Sequence, residues 1–160
     1  MNDKANAQTL GRREIVQSLD REFARLHLRS CTAIENTPAE VLYSPATSTG
    51  TRSLPSVGEN VLRCAAAVEQ TFGGITSSLW DDPFEWTLPE YLTTPAKLLE
   101  HLAEVEMTRQ RAFSSFDDDA CLLKHVAMPS GETCPLVELL LETLVRAAGY
   151  QGRALAQIQS

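Results

Sequence analysis

Long apolar runs are missing from these 160 residues, and with them any segment able to cross a bilayer as a helix, which takes about 18 or more consecutive apolar residues. Positive charge is in deficit: 14 Lys and Arg stand against 21 Asp and Glu, a formal net charge of -7. Backbone phosphates need cations, so this balance argues against an extended nucleic-acid contact. Aromatic residues make up 6% of the chain and histidine occurs three times, at His27, His101 and His125. The four cysteines, Cys31, Cys64, Cys121 and Cys134, form no CxxC pair and have no histidine at zinc-finger spacing. A polar stretch from Met1 to Gly11 lacks the apolar centre of a secretory signal, so the expectation is a cytoplasmic protein with reduced thiols. Hydrophobic residues (43%) and charged residues (22%) are at ordinary levels for a folded domain, which at this length buries roughly 70% of its unfolded surface.

What is present is helical periodicity. One apolar stripe runs through Ile15, Leu19, Phe23, Leu26, Ala33 and Ile34 and stops before Thr37-Pro38, since a residue preceding proline is pushed out of the helical region. Residues 44–54 are rich in Ser, Thr, Pro and Gly and read as a loop. A second stripe, Val57, Val61, Cys64, Ala65, Val68 and Phe72, opens on the capping box Ser56 to Glu59 and meets a helix-ending signal at Gly73-Gly74. An aromatic connection follows with Trp80, Phe84, Trp86 and Tyr91, placed over a bundle end or beside a pocket or interface.

The third stripe starts at Thr94-Pro95 and carries Leu98, Leu99, Leu102, Val105, Arg109, Ala112, Phe113 and Phe116. Asp117-Asp118-Asp119 ends it and can cap a short turn holding Cys121, Leu122 and Leu123. Residues 126–133 read as extended chain with a tight turn. The last helix is expected from Cys134-Pro135 onward, with Leu136, Val137, Leu140, Leu141, Leu144, Ala147, Ala148, Gln151, Leu155 and Ile158 on its buried side. Leu139, Leu140 and Leu141 are consecutive and cannot all face one core stripe, which leaves one for a broad core or a neighbouring subunit. The expected fold is therefore all-α: a four-helix bundle over residues 12–160, preceded by a flexible segment 1–11, with a long loop after the first helix and a short extended segment before the last.

Three pieces in this order resemble the DinB-like family of four-helix bundles: Leu54-Pro55-Ser56-Val57-Gly58-Glu59, then Met128-Pro129-Ser130-Gly131-Glu132-Thr133-Cys134-Pro135-Leu136-Val137-Glu138, then Tyr150-Gln151-Gly152-Arg153-Ala154-Leu155. The resemblance covers residues 12–158 and implies an up-down-down-up helix order and a homodimer. Metal-binding members use three histidines, one on the second helix and two four residues apart on the last, where i and i+4 share a face. The flanking pieces place Arg63, Ala147 and Gln151 at those positions. Arg63 carries no lone pair to give, Ala147 no ligating atom and Gln151 only a weak carbonyl oxygen. The implied expectation is a member without the metal centre or any cofactor, acting as a binding or interaction protein with no nucleic-acid or membrane partner.

The alternative is an enzyme, since relatives include metal-dependent thiol transferases and isomerases; here it would be of that type or a hydrolase with an atypical site. Cys64 beside Arg63 offers a low-pKa thiol if exposed, while its Cys-Ala-Ala-Ala setting points to burial. Arg63 has two readings. It can close a vacated pocket by pairing with Glu142 or Glu69, or it can make an anion site with Gln151 and Arg146. His101 and Glu104, three apart, can face one partner. The remaining helix carboxylates, Glu100, Glu106, Glu138 and Glu142, read as solvated polar faces.

Overall fold

The computed structural model describes residues 11–46, 50, 52–83 and 89–159. Four helices account for most of them: α1 (Glu14–Glu35), α2 (Val57–Ser77), α3 (Pro95–Ser114) and α4 (Leu136–Gln159). Segment 1–10 and the aromatic residues Phe84 and Trp86 lie outside the described residues.

The helix starts follow local chemistry. Ser56 Oγ accepts from the Glu59 amide while the Glu59 carboxylate accepts from the Ser56 amide, so both orphan donors of α2 are satisfied. Thr94 caps α3 through the Lys97 amide, with Pro95 in the first turn. Asp118 caps the 3-10 turn Asp119–Leu123, and the Asp119 carboxylate receives the Ile15 and Val16 amides at the start of α1, tying the two segments together. Before α4 the chain forms a small antiparallel hairpin, β1 (His125–Ala127) with β2 (Thr133–Pro135), turning at Gly131, whose φ of 85° suits glycine. The expected extended segment is thus a paired two-stranded sheet. Cys134 and Pro135 belong to its second strand, so α4 begins at Leu136.

Other expectations also need correction. Gly73-Gly74 does not end α2, which continues to Ser77 and closes at Ser78 in the left-handed region with φ 55°. The pair gives close approach instead: a Cβ on Gly74 would sit 2.2 Å from the Trp80 indole, and one on Gly73 3.1 Å from the Leu79 carbonyl oxygen. At the start of α1 it is Val16 that is buried, while Ile15 is 54% exposed. On α4 the expected buried positions Leu141 and Ala148 face out, Leu141 half exposed, and Leu139 is buried beside Leu140 instead.

The helices form a ring. α2 packs most extensively on α4 and then on α3, α1 packs on α3 and α4, and α1 and α2 touch little, as diagonal neighbours do. The gap between the diagonal helices is filled by rings: Phe23 and Phe72 meet edge to face at 5.2 Å, and both lie 5.6 Å from Phe113. A second apolar cluster around Ile34, Leu42, Val61, Leu62 and Leu98 fills the other end. No helix among the described residues is long and apolar enough to cross a membrane.

Candidate functional site

Stripe geometry decides where Arg63 goes. Val57, Val61, Cys64 and Val68 define the buried side of α2, and a helix turns about 100° per residue, so Arg63 points away from the core. It is half-buried and lines an open cleft of about 300 Å³ between α2 and α4, together with Gln70, Asp82, Arg146 and Tyr150. Arg63 and Arg146 are therefore brought together. Gln151 and Glu69, the other two candidates, are not in this cleft.

Gln151 is buried on the opposite flank of α4, and its amide nitrogen donates to the Leu26 carbonyl at 2.6 Å and to Ser30 Oγ at 2.8 Å on α1. Ser30 in turn lies 3.9 Å from the Cys64 sulfur. This small polar string bridges α1, α2 and α4 through an otherwise apolar interior. Ala147, one turn before Gln151, is completely buried. The three positions assigned by resemblance do not fit a metal ion: Arg63 faces a different space from Gln151, Ala147 has no donor, and Gln151, tied to α1 through its amide nitrogen, brings a single weak carbonyl oxygen. Among the described residues no group of three His, Cys, Asp or Glu side chains converges as a ligand set.

Glu69 faces α3. Its Oε2 atom is buried, has no hydrogen-bond partner and sits 3.7 Å from His101 Nε2. Burial, with the Glu104 charge adding to it, raises the Glu69 carboxyl; burial lowers His101 against the pull of Glu104. Both shifts favour the neutral forms. The partner of His101 is thus across the helix seam, and the reading of Glu69 as a partner for Arg63 is corrected. His27 instead contacts Cys31 at 3.6 Å, and His125 Nδ1 meets Thr133 Oγ1 at 3.0 Å.

On α3, where the stripe already placed Arg109 on the buried side, sequence reasoning missed the partners that the arginine takes. Arg109 is only 1% exposed and Glu106 8% exposed. Arg109 Nε donates to Glu106 Oε2 at 2.9 Å, one terminal nitrogen donates to Glu106 Oε1 at 2.5 Å, and the other bonds Asp20 on α1. Burial alone would lower the guanidinium pKa, but the hydrogen bonds the group donates to Glu106 and Asp20 outweigh this and raise it. The ring of Phe113 lies 5.3 Å beneath the guanidinium carbon. Glu106 was assigned to a solvated face and is instead half of a buried, bidentate pair. The signal was available: a charged residue falling on an apolar stripe, with a carboxylate three residues earlier.

The thiols have no activated member among those with a resolved shift. Burial pushes Cys64 up to about 11, with the Ser30 hydrogen bond pulling weakly the other way. Cys31 is raised by burial and by Glu35 and Glu106, and Cys134 by burial and by Glu138 and Glu142. Cys64 is buried, as its surroundings in the sequence suggested, and is not the exposed low-pKa thiol that a nucleophile requires.

The outer side of α4 carries a second feature. Leu141 is 50% and Val145 75% exposed, and Ala148 and Gly152 continue the same face. Beside it runs a groove of about 770 Å³, floored by Leu26, Leu144 and Leu155 and walled on the α1 side by Glu22, Arg25 and Arg29. Comparison of the chain with known proteins gives no matching family, no matching curated protein and no matching solved structure.

Proposed function

We propose that this chain is a DinB-like bundle of the metal-free kind, working as a non-catalytic interaction protein whose first partner is a second copy of itself. The observation that carries the reading is the unpartnered apolar face of α4. Leu141, Val145, Ala148 and Gly152 recur at helical spacing on the outside of a helix whose inner side is already buried.

The up-down-down-up order is supported by end-to-end contacts. Gly58 bonds the Leu42 carbonyl just after α1, Gln157 near the end of α4 bonds Pro55 just before α2, and Gln151 of α4 lies level with Leu26 and Ser30 of α1. A bundle without the metal is supported by the engagement of Gln151 with α1 and by the donor-free Ala147. The raised thiols weigh against the alternative of a thiol-based enzyme.

Charge supports a second copy as the occupant. Because Gln151 is level with Leu26 and Ser30, Arg25 and Arg29 stand beside the last three turns of α4. An antiparallel α4 from a partner, crossing near Val145 and Ala148, brings its Glu138 and Glu142 to the same level. A two-fold axis there repeats the acid–base match twice and buries both apolar faces.

Sedimentation equilibrium is expected to give a dimer at micromolar concentration. Val145→Glu, at a site 75% exposed and so harmless to the fold, is expected to weaken association by on the order of a hundredfold, about 2.7 kcal/mol. A monomeric wild type, or a Val145→Glu protein that dimerises unchanged, would overturn this use of α4. Elemental analysis after incubation with zinc and nickel tests the other half. Far less than one metal per chain is expected, and near-stoichiometric metal removed by none of the dimer variants would sink the metal-free reading.

A further inference from the structure

Two arginines share the α2–α4 cleft on a protein whose overall charge is -7. Their neighbours are chosen for the same purpose. Tyr150 lines the cleft, and Arg153 stacks over its ring with the guanidinium carbon 5.4 Å from the centroid. Gln70 holds the cleft's border in place: its amide donates 2.8 Å to the Trp80 carbonyl, and the Trp80 indole lies flush on Gly74. That brace positions the segment carrying Asp82, the one acidic side chain among the described residues that line the cleft.

From this arrangement we infer that the cleft between α2 and α4 is a binding site for a small oxyanion, a carboxylate or a phosphate, clamped between Arg63 and Arg146. Planar guanidinium forks match the paired oxygens of either group, which ammonium groups do not. Among the described residues the cleft's lining holds two arginines and one aspartate, and paired guanidinium groups concentrate anions. Both Arg63 and Asp82 are already engaged in the structure. An arriving oxyanion therefore joins groups that already have partners and does not fill an empty place. Asp82, on the cleft's lining, opposes an arriving anion by its charge. This site lies apart from the α1–α4 groove and stands independently of self-association.

The test is titration of the purified full chain with inorganic phosphate and, separately, with succinate, followed by calorimetry and by amide chemical shifts of Arg63, Gln70 and Tyr150, with sodium chloride matched for ionic strength. Saturable shifts centred on these residues are expected for at least one anion, and the better of the two names the source of the oxyanion. Arg146→Leu, at an exposed position, is expected to weaken that binding by about tenfold or more, and Arg63→Leu by as much. Asp82→Asn is expected to strengthen it, because the opposing charge is gone. Circular dichroism confirms that each variant folds, and Arg146→Leu alone decides the matter if Arg63→Leu does not. The inference fails if neither anion gives saturable binding to wild type or to Asp82→Asn, or if Arg146→Leu binds as wild type does. A stability change in Arg63→Leu with no ligand bound by any form returns Arg63 to a packing role.

Discussion

Replacing Arg109 with leucine is expected to lower the folding stability by about 3 to 5 kcal/mol in chemical denaturation at neutral pH. Arg109 is the largest side chain in the fully buried set, and its guanidinium meets Glu106 through two bonds and Asp20 through a third. Removing it strands the Glu106 carboxylate in a site 8% exposed, and an unpaired buried charge costs far more than the pair contributes. Asp20 is different, because its side chain is 48% exposed and water can take over its hydration. Asp20→Asn should therefore cost only about 1 kcal/mol, near the ordinary value of one hydrogen bond. Arg109→Met combined with Glu106→Leu removes both buried charges and is expected to recover most of the loss, since apolar residues of similar volume often replace a buried pair without penalty. A loss below about 1 kcal/mol for Arg109→Leu would mean that Glu106 reaches water in solution, and that the Arg109–Asp20 bond does not hold α1 to α3.

The same triad shows how far residue patterns reach. The spacing Val105, Arg109, Ala112, Phe113 places Arg109 on the buried side of α3, and this proved right. Glu106 was read with the solvated carboxylates because charged helix positions usually face water, yet a side chain three residues before a buried arginine shares its face and is drawn in. The capping box of Ser56 with Glu59 was legible, because its residue types at that spacing have one use at a helix start. Gly73-Gly74 misled because a glycine signals close approach as readily as a helix end, and the Trp80 ring that comes close is six residues away.

The candidate site was less legible, for a physical reason visible in its own stripe. Taking Cys64 as buried already turns Arg63 outward, so Arg63 and Gln151 could not share one cavity. Only the packing of α1 against α4 shows that Gln151 is occupied by Leu26 and Ser30. Glu69 finds His101 across a seam that no spacing within one helix encodes.

Truncating Phe72 to alanine is expected to cost about 3 to 5 kcal/mol, the second large effect. Phe72 is completely buried on α2 and reaches across the bundle to Phe23 on α1, the helix diagonal to its own, which α2 otherwise barely touches. Its ring also packs on Phe113, which itself meets Phe116 edge to face at 5.2 Å. Each such pair adds about 0.5 to 1.5 kcal/mol beyond burial, and alanine forfeits two of them while opening a cavity at the centre of the ring of helices. Diagonal helices cannot close on that cavity without breaking the α1–α3 and α2–α4 seams, so little relaxation offsets the loss. Phe72→Leu keeps most of the apolar volume and should cost less than about half as much. Phe116→Ala, at the edge of the same ring cluster and in contact with Phe113, should fall between the two. Denaturant midpoints across this series give the check: a Phe72→Ala loss no larger than that of Phe116→Ala would mean the bundle's centre collapses freely, and that the aromatic cluster does not fix the distance between α1 and α2.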